Sequence, residues 1–351
     1  MTIKMTILLI GCVMIAGGLL LHFVQSGSTT SREDSLNDKV KKLMEIQKHQ
    51  ALAAQENMER SKIELKPKAD EAFEAMKDLA LPAALADLTS SPPISPTQSR
   101  VGGPVYLPEG IAYPSDESGQ PLLFLVQINF AEMPPLPNFP KSGILQFFAR
   151  ADEELGSFGK NKDQNWKAFH WPETVELSQR HEPISMPMIE LASALIYKHA
   201  YPDPTKSQAF NIHEKGRRLQ FRPSIENHLP SLIWNHFEIK KIDSKFSKLD
   251  EFQYSLIGEL LDDIIYDANE KAPIRIGGYP SIPQNPPKFS EKTNLSYEKI
   301  LKRDKMHART LLNIDSVGQI QIWDNDSINF LILKENLELQ NFENIGYYVA
   351  Q

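Results

Sequence analysis

The stretch IRIGGYPSIPQ, residues 274–284, nearly repeats VGGPVYLP, residues 101–108. Each carries a glycine pair, three residues, then an aliphatic residue and a proline: Gly102 and Gly103 lead to Pro108, and Gly277 and Gly278 lead to Pro283. Glycine reaches backbone angles that residues with a Cβ avoid, and proline fixes the exit direction. The element therefore reads first as a structural turn, with a ligand-cradling loop as the alternative. Spacing extends the repeat. Gly143 lies 41 residues after Gly102, and Gly318 lies 41 after Gly277. Each of these two glycines continues as Gly-x-(Leu/Ile)-Gln, ending at Gln146 and Gln321. The apolar runs before them, starting at Leu122 and Leu311, are not in register. The expectation is a duplicated half: glycine turn, buried strand, tight hairpin, second strand.

Working outward, LLFLVQINF (122–130) is a nearly continuous apolar run that suits a strand buried on both faces. Residues 144–149, 232–239, 310–315, 319–323 and 328–333 also read as strands. Residues 186–199 and 249–268 read as amphipathic helices. The second places Leu249, Phe252, Leu256, Leu260, Ile264 and Ala268 on one face. A shorter basic helix is expected over 296–309. Strands grouped at both ends with helices between predict an α+β fold, one compact mixed domain with two internally related β-rich halves.

GGPVYLP, LLFLVQINFAEMPPLPNFPKSGILQFF, IRIGGYPSIPQ and LLNIDS together resemble the signature segments of the YwqG-like family of bacterial proteins, over roughly residues 98–349. The resemblance implies a compact mixed α/β domain with internal duplication. It brings no established activity, cofactor or catalytic residue. The chain departs from the pattern at WDNDS, from Trp323, where the family tends to have a glycine-containing WGD turn.

Ahead of this domain the sequence reads as an addition. After a tail at 1–4, residues 5–24 are apolar except for Thr6 and His22. That length spans a hydrocarbon core as a helix. A cleaved signal peptide and a lipidated Cys12 (in LIGC) are the alternatives to an uncleaved anchor. The expected location is a bacterial inner membrane, single-pass, with the body preferred outside the cytoplasm. Residues 25–88 are expected to form a charged helical stalk, interrupted at Pro67 and resumed from Ala69 to Leu81. Residues 89–97 read as a Pro/Ser-rich linker, and 98–351 as the folded domain.

The chemistry is sparse. Charge balances within residues 1–100, so the whole net charge of −7 falls on residues 101–351. Such a body has no overall attraction for phosphate backbones, and nucleic acid is not an expected partner. Arg217, Arg218 and Arg222 read as a solvated basic loop. Cys12 is the only cysteine, which excludes a disulfide within the chain and a cysteine metal site. No phosphate loop, dinucleotide fingerprint, nucleophile elbow or zinc motif occurs, and no cofactor, metal or catalytic residue is expected. Glu259, Asp263 and Asp267 share one helix face, and Asp324 to Asp326 cluster in a turn. Gln127, Asn129, Gln146 and Gln321 interrupt apolar strands, where a buried amide must be hydrogen-bonded. They either lock the sheet or line a polar cleft. The candidate binding residues are these four with Arg275, Tyr279, Gln284, Trp323 and Asp324. The leading expectation is a membrane-tethered module that binds a protein partner. The alternative is a hydrolase with a carboxylate and amide cleft between the two repeats. A small-molecule or glycan receptor using Tyr279 or Trp323 is weaker.

Overall fold

The structure is a computed structural model that describes residues 30–150, 165–183, 215–227, 249–280, 308–317, 320 and 327–350. It divides into two compact units, 1–67 and 68–351. Residues 5–24 lie outside the described set. Among the described residues no helix is long and apolar enough to cross a membrane.

Helix α1 spans Thr30–Met76 and contains Pro67. The expected interruption at Pro67 does not occur, although proline removes one helical hydrogen bond. In the second unit α1 buries Ala69, Ala72 and Met76, one face at helical spacing. The helix ends at Met76, five residues before Leu81.

The second unit is built on an antiparallel sheet of ten strands. In chain order these are β1 (Leu81–Leu88), β2 (Arg100–Val101), β4 (Leu123–Asn129), β5 (Ile144–Ala149), β6 (Trp166–Trp171), β8 (Arg217–Glu226), β9 (Ile274–Gly277), β10 (Ala308–Asp315), β11 (Ser327–Leu333) and β12 (Ile345–Ala350). Strands β3 (Val105–Leu107) and β7 (Gln179–His181) form a separate pair. Helix α2 (Glu251–Ala268) and the short α3 (Lys334–Glu338) complete the described elements. The α+β expectation holds at this level. The expected strands at 122–130, 144–149, 310–315 and 328–333 become β4, β5, β10 and β11. Residues 186–199 and 232–239 lie outside the described set, as does all of 319–323 except Ile320. The basic helix expected to reach 309 is corrected at its end, where Ala308 and Arg309 open β10.

The strand order is β12-β11-β10-β9-β1-β8-β2-β4-β5-β6. It reads equivalently from either end: β9 matches β2, β10 matches β4, β11 matches β5 and β12 matches β6, about a centre between β1 and β8. The register supports the match in detail. Strand β4 carries an irregularity at Leu125, followed by Val126 opposite Phe147 and Gln127 opposite Gln146. Strand β10 carries one at Leu311, followed by Leu312 opposite Phe330 and Asn313 opposite Asn329. By pairing, then, Gln146 corresponds to Asn329. The 41-residue spacing that set Gln146 against Gln321 is not the spacing of the fold.

The two ends of the sheet approach each other. Between ring centroids, Trp166 of β6 stands 5.8 Å from Tyr347 of β12 and 5.8 Å from Phe330, and Phe147 meets Phe330 at 4.7 Å with the rings tilted. The sheet is therefore nearly a barrel, with β4, β5, β10 and β11 lining its apolar interior.

Strands β1 and β8 correct the sequence expectation. β1 falls at the end of the expected stalk, 25–88, because an Ala-rich run favours helix in isolation. It pairs with β8 on one side and β9 on the other. The arginines taken for a loop sit on β8. Arg217 donates to Ser90 O at 2.6 Å, and Arg222 pairs with Asp87 and Glu270. The start of the segment expected as a linker, 89–97, is bonded to β8: Arg217 holds Ser90, Thr89 N donates to Arg218 O and Arg218 N to Ser91 O.

Candidate functional site

The polar residues inside the sheet fall into two matched sets. In the first, Gln127 and Gln146 are fully buried. Gln146 Nε2 donates to Gln127 Oε1 at 2.8 Å, and Trp171 Nε1 donates to Gln146 Oε1 at 2.7 Å. Arg100, 2% exposed, lies opposite Gln127 in the register and donates to its Oε1 at 3.2 Å. Main-chain carbonyls of residues 95–98 close the set. Arg100 donates to Ser95 O and Pro96 O, Gln127 to Pro96 O and Gln98 O, and Asn129 to Thr97 O. Burial pulls the Arg100 guanidinium down to about 10, against the opposing pull of Tyr106 and Glu132. The strand amides at 127, 129 and 146 therefore lock the structure, which was the first of their two sequence readings.

The second set differs in kind. Arg275 lies opposite Asn313, as Arg100 lies opposite Gln127, and Asn313 Nδ2 donates to Asn329 Oδ1 at 3.0 Å. Asp315 stands where Asn129 stands in the first half. Here the residues border a cavity of about 170 Å³, lined by Glu226, Arg275, Tyr279, Asn313 and Asp315 with neighbours from the end of α2. Arg275 Nη1 donates to Glu226 Oε2 at 2.8 Å, an ion pair with side chains 12% and 5% exposed. Glu226 Oε1 and Asn313 Oδ1 are buried with no hydrogen-bond partner.

The glycine turn shapes this wall. Gly277 and Gly278 have φ of 76° and 69°, matching 61° and 78° at Gly102 and Gly103. A Cβ on Gly278 would lie 2.6 Å from Glu226 Cγ, so only glycine lets Glu226 sit here. Tyr279 follows, 5% exposed. Burial raises its hydroxyl to about 12, with Arg309 opposing. Burial also holds the Asp315 carboxyl above its ordinary range, against the pull of Arg275 and a hydrogen bond from Asn313. Desolvation of this kind disfavours the charged form, and a nearby cation favours it.

Of the candidate binding residues, the cavity gathers Arg275 and Tyr279. Gln127, Asn129 and Gln146 belong to the filled set. Gln284, Gln321, Trp323, Asp324, Pro283 and Gly318 lie outside the described residues. Glu226, Asn313, Asp315 and Arg100 were missed. One signal was available: Arg-Val-Gly-Gly at 100–103 repeats as Arg-Ile-Gly-Gly at 275–278. Burial of Tyr279 removes the exposed aromatic that a glycan receptor would need there.

A second feature lies on α2. Asp250 caps it, accepting from Gln253 N at 2.8 Å in a reciprocal capping box. Its buried positions are Leu256, Ile257, Leu261 and Ile265, whereas Phe252 is 47% exposed. The expected stripe through Phe252, Leu260 and Ile264 is thus rotated. Glu259, Asp263 and Asp267 are exposed. Asp262 is half-buried, and burial followed by Asp263 and Glu259 raises its carboxyl. Among the described residues no group of three or more His, Cys, Asp or Glu side chains is placed to hold a metal ion.

The model of a family described as a domain of unknown function, DUF1963, matches residues 99–350. No curated protein matches the chain. The matched span omits β1.

Proposed function

The chain belongs to the DUF1963 family, and from that premise we propose a non-catalytic binding module of the YwqG-like kind, its two β-rich halves related by duplication, tethered to a membrane through residues 5–24 and directed at a basic protein partner. The observation that carries this reading is the exposed face of α2. At 3.6 residues per turn, Phe252, Glu259, Asp263 and Tyr266 fall on one side of the helix. Both aromatics are largely exposed, at 47% and 60%. Aromatic side chains beside carboxylates form the kind of surface that protein interfaces use, and Lys271 over the Tyr266 ring stands at its edge. Against the hydrolase, Gln127, Asn129 and Gln146, three of the four strand amides it would employ, are spent on main-chain carbonyls and on each other.

The test is capture from membrane extract by the full-length chain. A specific partner is expected, and Phe252→Ala with Tyr266→Ala should reduce its recovery at least tenfold. Glu259→Lys with Asp263→Lys should do the same, because the partner's charge would then be repelled. Identical recovery by all three chains would remove the helix face as the binding surface. The tether has its own test. The full chain should stay in the membrane pellet after alkaline carbonate extraction, and a chain starting at residue 30 should not. Release of the full chain into the supernatant would end the anchor reading.

A further inference from the structure

We propose that the cavity beside the second glycine turn is a binding site for an organic cation, an ammonium or guanidinium group that supplies N–H donors to Glu226, Asn313 and Asp315. Three observations lead there. First, the lining holds buried acceptors without donors: Glu226 is 4% exposed and Asn313 0%, and one oxygen of each is unpartnered. An unmet buried acceptor is costly, and an incoming N–H removes that cost. Second, three carboxylates line the cavity, Glu226, Asp315 and Glu270, with the cations Arg275 and Lys271. Arg275 is paired with Glu226, Glu270 with Arg222 outside the lining, and Lys271 lies over the Tyr266 ring at 3.5 Å.

The third observation is the molecule's own comparison. At the matched place in the first half, Arg100, Gln127 and Asn129 present donors, and the chain fills the place with carbonyl oxygens from residues 95–98. In the second half Asp315 replaces the amide of Asn129, and Glu226 adds a further carboxylate. The polarity of the set is inverted. A carbonyl-bearing segment fits the first site; a donor-bearing cation fits the second. At about 170 Å³ the cavity is below the roughly 300 Å³ of drug-sized pockets, which suits one short cationic head.

The cavity shares Tyr266 with the α2 face, but its test substitutions, at Glu226 and Asp315, lie off that helix, so the two readings fail separately. The experiment titrates the full-length chain, in non-ionic detergent, with n-butylammonium, methylguanidinium and n-butanol, read by calorimetry. Nα-acetyl-lysine amide is a fourth probe. The cations should bind at least tenfold more tightly than n-butanol. If the lysine amide binds at least tenfold tighter than n-butylammonium, the cation arrives on a peptide; equal binding means a free amine suffices. Glu226→Gln and Asp315→Asn should each weaken the cations at least tenfold, and Asp315→Asn decides the matter if the other variant does not fold.

A pH signature separates binding from a merely structural role. The groups around Asp315 are Arg275 on β9, Glu226 on β8, Asn313 on its own strand and Tyr348 on β12, and Tyr279, Glu270 and Lys271 line the same cavity. A cation beside Asp315 favours its charged form. Binding should therefore release protons and strengthen as pH rises above the ordinary carboxylate value of about 4. Asp315→Asn should abolish both effects. Equal affinity for n-butanol, or cation binding indifferent to both substitutions, would overturn the site.

Discussion

A chain starting at residue 98 should fail to fold, and one starting at residue 68 should fold. Strand β1 is the reason. It pairs over its whole length with β8, from Leu81 opposite Glu226 to Leu88 opposite Leu219, and from Ala83 to Ala86 with β9. Cutting it away separates β12-β11-β10-β9 from β8-β2-β4-β5-β6, leaving no strand pairing between the two groups among the described residues. It also strips away Ala83, Ala84, Leu85 and Ala86, none more than 1% exposed, and opens two strand edges to aggregation. The glycine turn loses its anchor too, since Gly278 N donates to Pro82 O at 3.1 Å. Losses on this scale exceed the roughly 5–15 kcal/mol by which a domain is stable. The shorter chain should show no cooperative thermal transition and no near-UV circular dichroism, while the longer chain shows both. A cooperative transition in the shorter chain would mean that β8 and β9 can pair without β1. The family match begins at residue 99. A boundary taken from it would therefore remove the centre of the sheet.

What the sequence disclosed followed the physics of each segment. β4, β5, β10 and β11 are buried on both faces, and such strands must be apolar runs, which the eye finds. β1 gives the opposite signal. Its alanines are small because it lies between two strands in a closely packed sheet, but alanine is also the best helix former. β8 hides behind Arg217, Arg218, Arg222 and Pro223, whose exposed positions alternate with buried Leu219, Ser224 and Glu226. The site divides likewise. Arg275 and Tyr279 flank a glycine pair and could be picked out by position. Glu226 and Asp315 could not, because a carboxylate reads as a surface residue until strand pairing places it inside. That placement depends on Glu226 meeting Gly278 across 52 residues of chain.

Gln127→Leu should lower stability by about 3–5 kcal/mol, although the volume change is small. An amide side chain has two donor hydrogens and two acceptor lone pairs, and all four are used here. Nε2 donates to Pro96 O at 2.8 Å and Gln98 O at 2.9 Å, while Oε1 accepts from Arg100 and Gln146 at 3.2 and 2.8 Å. Leucine would fill the space and meet none of these needs. Two carbonyls would lose a donor, and a buried guanidinium and amide would each lose an acceptor, at about 1–3 kcal/mol for each group left unmatched. Some of this returns by relaxation, since Arg100 keeps Pro96 O and Gln146 keeps Tyr106 O. Asn313→Leu supplies the control. Asn313 is equally buried and sits at the matching position, yet its Oδ1 is already unpartnered. Its replacement should cost less, about 1–3 kcal/mol. Urea unfolding of the two full-length variants against the parent measures both. The larger loss at 127 should come with faster amide exchange at Asn129, whose N–H donates to Ser99 Oγ at 2.8 Å beneath the same loop. Equal losses at 127 and 313 would mean that the two halves are filled alike. In that case the difference between a plugged site and an open one, on which the cation site rests, would be lost.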